Sequence, residues 1–221
     1  MGEGLSGLRA VLFDLDGVVV DTAKYHYQAW KRIAEEENIY FDEEINERLK
    51  GVSRMDSLNI LMERRTREYT EKQLEQLADR KNGYYVAFLN QMAAGDILPG
   101  VMAFLSELKH CGIKTAICSA SKNTDTILER LNISPLFDTV VSGLDVARSK
   151  PDPQVFHIAA QRLGVPAEQC LVIEDSAAGI EAAALAGMKS IGIGRKDRLG
   201  QAGSVIASTE ELCLALTRRL F

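Results

Sequence analysis

A chain of 221 residues is long for one ordinary domain and short for two large ones, so a single core with a smaller inserted piece fits it best. A hydrophobic share of 46% with 26% charged residues suits a soluble globular protein, and a net charge of −5 without a long basic run sets nucleic acid aside as a partner. No apolar stretch approaches the roughly 18 residues that cross a bilayer, and the start lacks a basic segment followed by an apolar one, so neither a membrane partner nor a secretory leader is expected.

The first element is AVLF, residues 10–13, a continuous apolar run of the kind a buried parallel strand carries. From Thr22 to about Gln91 the chain turns polar, charged and helix-like: YHYQAWKRIAEEE, DEEINERLKG, MDSLNILMERR and EKQLEQLADRKNGYYVAFLNQM predict about four helices. AAGDILPG, residues 93–100, is a returning linker broken by Gly95, Pro99 and Gly100. Thereafter helical patterns (VMAFLSELKHCG, DTILERLNI, PQVFHIAAQRLG) separate apolar runs at Lys114–Cys118, Thr139–Gly143, Cys170–Ile173, Ser190–Gly194 and Ser204–Ala207. That alternation predicts an α/β fold with a parallel sheet covered on both faces. The C-terminal TEELCLALTRRLF reads as one amphipathic helix on the core. The four cysteines form no CxxC pair, and Cys118 and Cys170 are expected as buried thiols of a reducing cytoplasm.

Asp14 and Asp16 follow the first strand, at the sheet edge where α/β folds bind ligands. If the backbone stays extended, both side chains point the same way, and two like charges so close call for a cation. Glu174, Asp175 and Ser176 end the run CLVI in the same manner, giving four carboxylates suited to Mg²⁺. Ser119 and Ser121 end another run with hydroxyls able to hold phosphate oxygens, and Lys150 sits between Ser149 and Pro151. Taken alone, each serine is a helix cap and the lysine a surface cation.

Together, DLDGVVVDT, SAS, SKPDP and EDSAAGIEAA resemble, in order, the motifs of the haloacid dehalogenase-like phosphotransferases over nearly the whole chain. The resemblance implies a Rossmann-like core (residues 1–21 and 94–221) with a small α-helical cap (22–93) inserted after the first strand. It also implies that Asp14 is the nucleophile, that Lys150 touches Asp14 and the phosphate, and that Asp16 is general acid and base. Asp14, the Asp16 carbonyl and Asp175 would bind Mg²⁺, with Glu174 a further ligand or a residue behind them. An aspartyl-phosphate divides one transfer into two steps.

The core alone does not name a substrate. The segments carrying Thr22, His26, Trp30, Gly51, Val52, Ser53, Arg54, Ser57, Lys81 and Asn82, with Ser119, Ala120, Ser121, Lys122 and Asn123, resemble the β-phosphoglucomutase group of that family. His26 and Trp30 are four apart and share a helix face, although Trp30 also suits a core and His26 a surface. Arg54 after Gly-Val-Ser suits bidentate binding of a phosphate. The group implies a sugar-phosphate substrate with a second phosphate site at Arg54, Ser121, Lys122 and Asn123. It further implies that His26 and Lys81 couple binding to cap closure. A monomer is preferred because the cap must move. A phosphatase of small phosphorylated metabolites and a sugar-phosphate binding protein without catalysis are the competing readings; the second leaves the nucleophile without a purpose.

Overall fold

The computed structural model describes residues 7–221; residues 1–6, which belong to the predicted core segment and to the start where no leader is expected, lie outside the described residues. Six strands form one parallel sheet in the order β3-β2-β1-β4-β5-β6. They are β1 (Ala10–Phe13), β2 (Lys114–Cys118), β3 (Thr139–Val141), β4 (Cys170–Glu174), β5 (Lys189–Ile193) and β6 (Ser204–Ile206). Between β1 and β2 lie four helices, α1 (Ala23–Glu36), α2 (Glu43–Arg48), α3 (Arg54–Met62) and α4 (Glu71–Leu89), before α5 (Val101–His110). The later helices are α6 (Thr124–Arg130), α7 (Gln154–Leu163), α8 (Ala177–Leu185), α9 (Lys196–Leu199) and α10 (Leu214–Arg218).

Strand periodicity assigns the two faces. Val11 and Phe13 of β1 join Phe104 and Leu108 of α5 and Ile127 of α6 in one core. Ala10 and Leu12 join Phe156 and Ala159 of α7 and Ala182 of α8 in the other. The sheet is thus covered on both sides, as the alternation of elements predicts. The third run is less buried than expected, because β3 is an edge strand with only Val141 fully covered. The C-terminal run is two pieces rather than one helix. A short 3-10 turn at Thr209–Glu211 ends at Leu212 and Cys213, both extended, before α10.

Register places the site. Phe13 pairs with Ile117 of β2 and Ile173 of β4, so Asp14, Cys118 and Glu174 emerge side by side at the carboxyl ends. The order of strands reverses between β1 and β4, the crevice where such sheets bind ligands.

The four-helix insertion has a small core of its own, with Trp30, Ile33, Leu58, Leu61 and Leu77. Its base is continuous with the sheet core: Tyr25 and Phe88 stack at 5.8 Å and, with Leu89 and Met92, pack onto it. Thr70 and Gln73 form a reciprocal cap at the start of α4, which ends the preceding loop.

Candidate active site

The backbone leaves the extended conformation after Phe13. The N–H groups of Val18, Val19 and Val20 all point to the Leu15 carbonyl, and Gly17 adopts φ +87°. A side chain at Gly17 would meet Asp175 Oδ2 at 2.5 Å, so the turn presses directly against the β4–α8 loop. The expected extended continuation therefore fails, and the two aspartates take separate partners.

Asp14 is buried and accepts a 2.5 Å hydrogen bond from Lys150 Nζ. The same ammonium donates to Glu174 Oε1 at 2.5 Å and to the Cys118 carbonyl at 2.9 Å. Burial opposes the charge of Lys150, but the two carboxylates prevail and raise its pKa. Glu174 is fully engaged: its other oxygen accepts from the Ser176 amide at 3.0 Å and hydroxyl at 2.8 Å. That hydroxyl in turn accepts from the Gly179 amide and caps α8. A methyl group on Gly179 would lie 1.9 Å from the Glu174 carboxyl carbon.

Asp16 faces the insertion. Its Oδ1 accepts from Thr22 Oγ1 at 2.5 Å and from Tyr85 OH at 3.2 Å, while His26 Nε2 stands 3.5 Å away. Burial would raise its pKa, yet His26, Thr22 and Tyr85 hold it down at about 2. Lys81 Nζ lies 2.8 Å from His26 Nδ1 and 4.9 Å from the centre of the Trp30 ring. With the ammonium donating, Nδ1 accepts and the ring proton sits on Nε2, towards Asp16. Burial, with Lys81 beside it, lowers the His26 pKa. Burial also brings Lys81 down to about 7, Arg54 adding to the effect and Asp16 opposing it.

These groups share a cavity of about 950 Å³ between insertion and core. Of the site residues marked in the sequence, all line it except Thr22, buried behind Asp16, and Glu174, behind Lys150. Ser57 reaches the wall, but its hydroxyl donates to the Leu49 carbonyl and ties α3 to the end of α2. Trp30 serves both the wall and the core of the insertion. Ser119 Oγ accepts from the Ser121 amide, and Ser121 Oγ from the Asn123 amide, which winds the loop before α6 into a tight turn. Arg54 opens α3 with a half-buried guanidinium; its acidic neighbour Asp79 is 3.7 Å away and it makes no hydrogen bond to the described residues. Asn123 and Asn82 join core and insertion at 3.0 Å, as Ser149 and Asp56 do at 2.6 Å.

Among the described residues no three His, Cys, Asp or Glu side chains are gathered tightly enough to enclose a metal ion. Lys150 separates Asp14 from Glu174, and Asp16 is turned away. The donors that remain still fit a divalent cation. Asp14 Oδ2 and the Asp16 carbonyl accept no hydrogen bond from the described residues. Burial raises the pKa of Asp14 well above the carboxylate range against the pull of Lys150, with the neighbouring acids adding to the rise. Burial likewise takes Asp175 to about 7, Lys50 opposing and Glu174 assisting. Desolvated oxygens with unmet negative charge are the donor set of a hard cation.

Sequence reasoning missed Tyr85, Lys50 and Gly179. Tyr85 stands four residues after Lys81 on α4, a spacing that shares a helix face and was the available signal. Lys50 directly precedes the marked Gly51, and Gly179 lies within the quoted EDSAAG.

The haloacid dehalogenase-like hydrolase model matches residues 8–187. The chain belongs to that family. It is 41% identical to a β-phosphoglucomutase of Bacillus subtilis over 95% of this chain and 93% of that one. It is 32% identical to a phosphorylated carbohydrates phosphatase of Thermotoga maritima, covering 83% and 84% of the two chains. A solved β-phosphoglucomutase of Clostridium difficile superposes with a TM-score of 0.90 at 38% identity, over 96% of each chain. Family membership brings use of a divalent metal, and no helix among the described residues is long and apolar enough to cross a membrane.

Gly179→Ala is expected to displace Glu174 and through it Lys150, reducing kcat/KM at least about tenfold. Steady-state kinetics beside a thermal melt separates this from simple unfolding. Lys81 gives a stability dependence of defined sign. In the unfolded chain it titrates near 10.5 and in the fold near 7, so between those values the unfolded chain binds more protons and stability rises with pH. Urea denaturation between pH 7 and 9 should show the wild type gaining on Lys81→Met, by at most about 1.4 kcal/mol per pH unit.

Proposed function

We propose that the chain is a β-phosphoglucomutase, interconverting β-D-glucose 1-phosphate and glucose 6-phosphate through a phosphorylated Asp14 and a glucose 1,6-bisphosphate. The observation that carries this reading is a cavity with two anion-binding poles: Lys150 beside Asp14 on the core, and the Arg54 guanidinium on the insertion without a hydrogen-bonded partner among the described residues. A phosphatase needs one phosphate site; a bisphosphate that binds in both orientations needs two.

In the first half-reaction the sugar O6 forms a bond to phosphorus as the bond from the Asp14 oxygen breaks. Asp16, ionised at neutral pH by its hydroxyl and imidazole partners, takes the O6 proton. The bisphosphate turns round, Asp14 attacks the C1 phosphate, and Asp16 returns the proton to the departing C1 oxygen. Lys150 offsets the charge of the reacting oxygens throughout. Mg²⁺, held by Asp14, the Asp16 carbonyl and Asp175, supplies further charge neutralisation when bound. Thr22, His26, Lys81 and Tyr85 orient Asp16. Arg54, Ser121, Lys122 and Asn123 take the distal phosphate, and Ser119 the transferring one. Trp30, Gly51, Val52, Ser53, Ser57 and Ala120 complete the wall. Residues 22–93 act as a cap over a core of 1–21 and 94–221, closing to keep water from the aspartyl-phosphate. The free cysteines suit a cytoplasmic protein, and a monomer is preferred because the cap must move.

The deciding assay supplies Mg²⁺, β-glucose 1-phosphate and a trace of glucose 1,6-bisphosphate, and follows glucose 6-phosphate and free phosphate together. Glucose 6-phosphate with little free phosphate is expected; stoichiometric free phosphate without isomer means a phosphatase. Arg54→Ala should lower mutase flux about tenfold to a hundredfold, the worth of a charge-assisted bond, while hydrolysis of acetyl phosphate falls far less. Equal losses remove Arg54 from the distal site.

A further inference from the structure

Lys50 lies at the tip of the insertion, between α2 and α3, and its Nζ stands 3.3 Å from Asp175 Oδ2 and 3.1 Å from Glu47 Oε1. Glu47 in turn pairs with Arg198 of α9 at 2.9 Å. Charges therefore alternate across the seam, Arg198 and Asp175 on the core, Glu47 and Lys50 on the insertion. The contact is close: a side chain at Gly51 would meet Ser176 Oγ at 2.3 Å. Among the described residues Asp175 has no other cation beside it, so Lys50 supplies the charge at that carboxylate.

We propose that Lys50 is a positioning residue that competes with the divalent cation for Asp175 and so couples metal loading to the position of the insertion tip; the inference rests on Asp175 being a metal ligand. An ammonium 3.3 Å from Asp175 Oδ2 occupies the space that a cation bonded to that oxygen needs, and its charge repels a cation approaching the other oxygen. When a cation binds, like-charge repulsion drives Lys50 back to Glu47, and the tip loses its hold on the β4–α8 loop. By linkage, whatever holds the tip down weakens the metal by the same factor.

The test titrates Mn²⁺ into the sugar-free protein, reading free Mn²⁺ by electron paramagnetic resonance and tip mobility by hydrogen exchange over residues 46–57. Lys50→Met should bind Mn²⁺ about fivefold tighter than wild type, the worth of one partly exposed ion pair. Lys50→Arg should stay near wild type, and Lys122→Met, which removes a cation elsewhere on the wall, should shift binding less than about twofold. In wild type, Mn²⁺ should speed exchange at the tip; in Lys50→Met the tip should be fast already and insensitive. Unchanged or weaker Mn²⁺ binding in Lys50→Met, a shift as large in Lys122→Met, or a wild-type tip indifferent to Mn²⁺ would overturn the inference. Asp175→Asn separates the two levels. If it binds Mn²⁺ as well as wild type, or wild type binds none, the assignment of Asp175 as a ligand falls; if only Asp175→Asn loses the metal, the assignment stands whatever Lys50 does.

Discussion

One buried ammonium organises this site. Lys150 is only 2% exposed, and burying its charge is tolerable because two carboxylates and a carbonyl from three adjacent strand ends converge on it. The in-register pairing of β1 with β2 and β4 makes that convergence possible. Ser176 holds the far oxygen of Glu174, and the missing side chain of Gly179 leaves room for it. A single positive charge thereby fixes one oxygen of Asp14 and leaves the other uncommitted. Asp16 and Asp175 add negative charge beyond what Lys150 offsets, so the arrangement is complete only with further cations: a divalent metal, or in this conformation Lys50.

Two aspartates two residues apart end up in opposite electrostatic states, and the cause is the backbone. Had the chain stayed extended, both would face the same charges. The turn around the Leu15 carbonyl sends Asp14 towards the desolvated core, where its pKa rises, and Asp16 towards two hydroxyls and an imidazole, where it falls. Environments that push like groups apart assign different chemical tasks to identical side chains.

Much of this was legible because apolar runs and breakers are local signals. All six strands and the four inserted helices fall where patterning puts them, and so does the acidic edge after β1. Legibility failed where the choice of hydrogen-bond partner, rather than an apolar pattern, decides. Glu174 reads as a fourth acid at the edge, a ligand or a residue behind the ligands, and the bonds of its oxygens to Lys150 and Ser176 are not legible locally. Ser57 does reach the wall, but its hydroxyl donates to the Leu49 carbonyl. The C-terminal pattern is amphipathic throughout, yet it breaks at Leu212, which is buried against the sheet core while the Leu214 amide turns to Glu107 of α5. Tyr85 carried only helical spacing as a signal, and nothing local marked Lys50, whose meaning depends on a carboxylate far along the chain.

The insertion is attached in two chemically different ways, which bears on how the proposed cap moves. At its base, aromatic and aliphatic side chains continue the sheet core, and separating them would expose apolar area to water. At its tip every named contact is polar: Ser149 with Asp56, Asn123 with Asn82, Lys50 with Asp175 and Arg198 with Glu47. Water replaces such bonds on opening, at a net cost of about 0.5–1.5 kcal/mol each. If residues 22–93 move as the proposed cap, the apolar base is where they would hinge and the polar tip where they would release. Tyr85 and His26 ride on the insertion while Asp16 stays with the sheet, so opening would strip Asp16 of two of the partners that orient it. In the proposed mechanism, closure and alignment of the base are then one event: a phosphorylated Asp14 would meet an aligned Asp16 only with the cap down and water shut out.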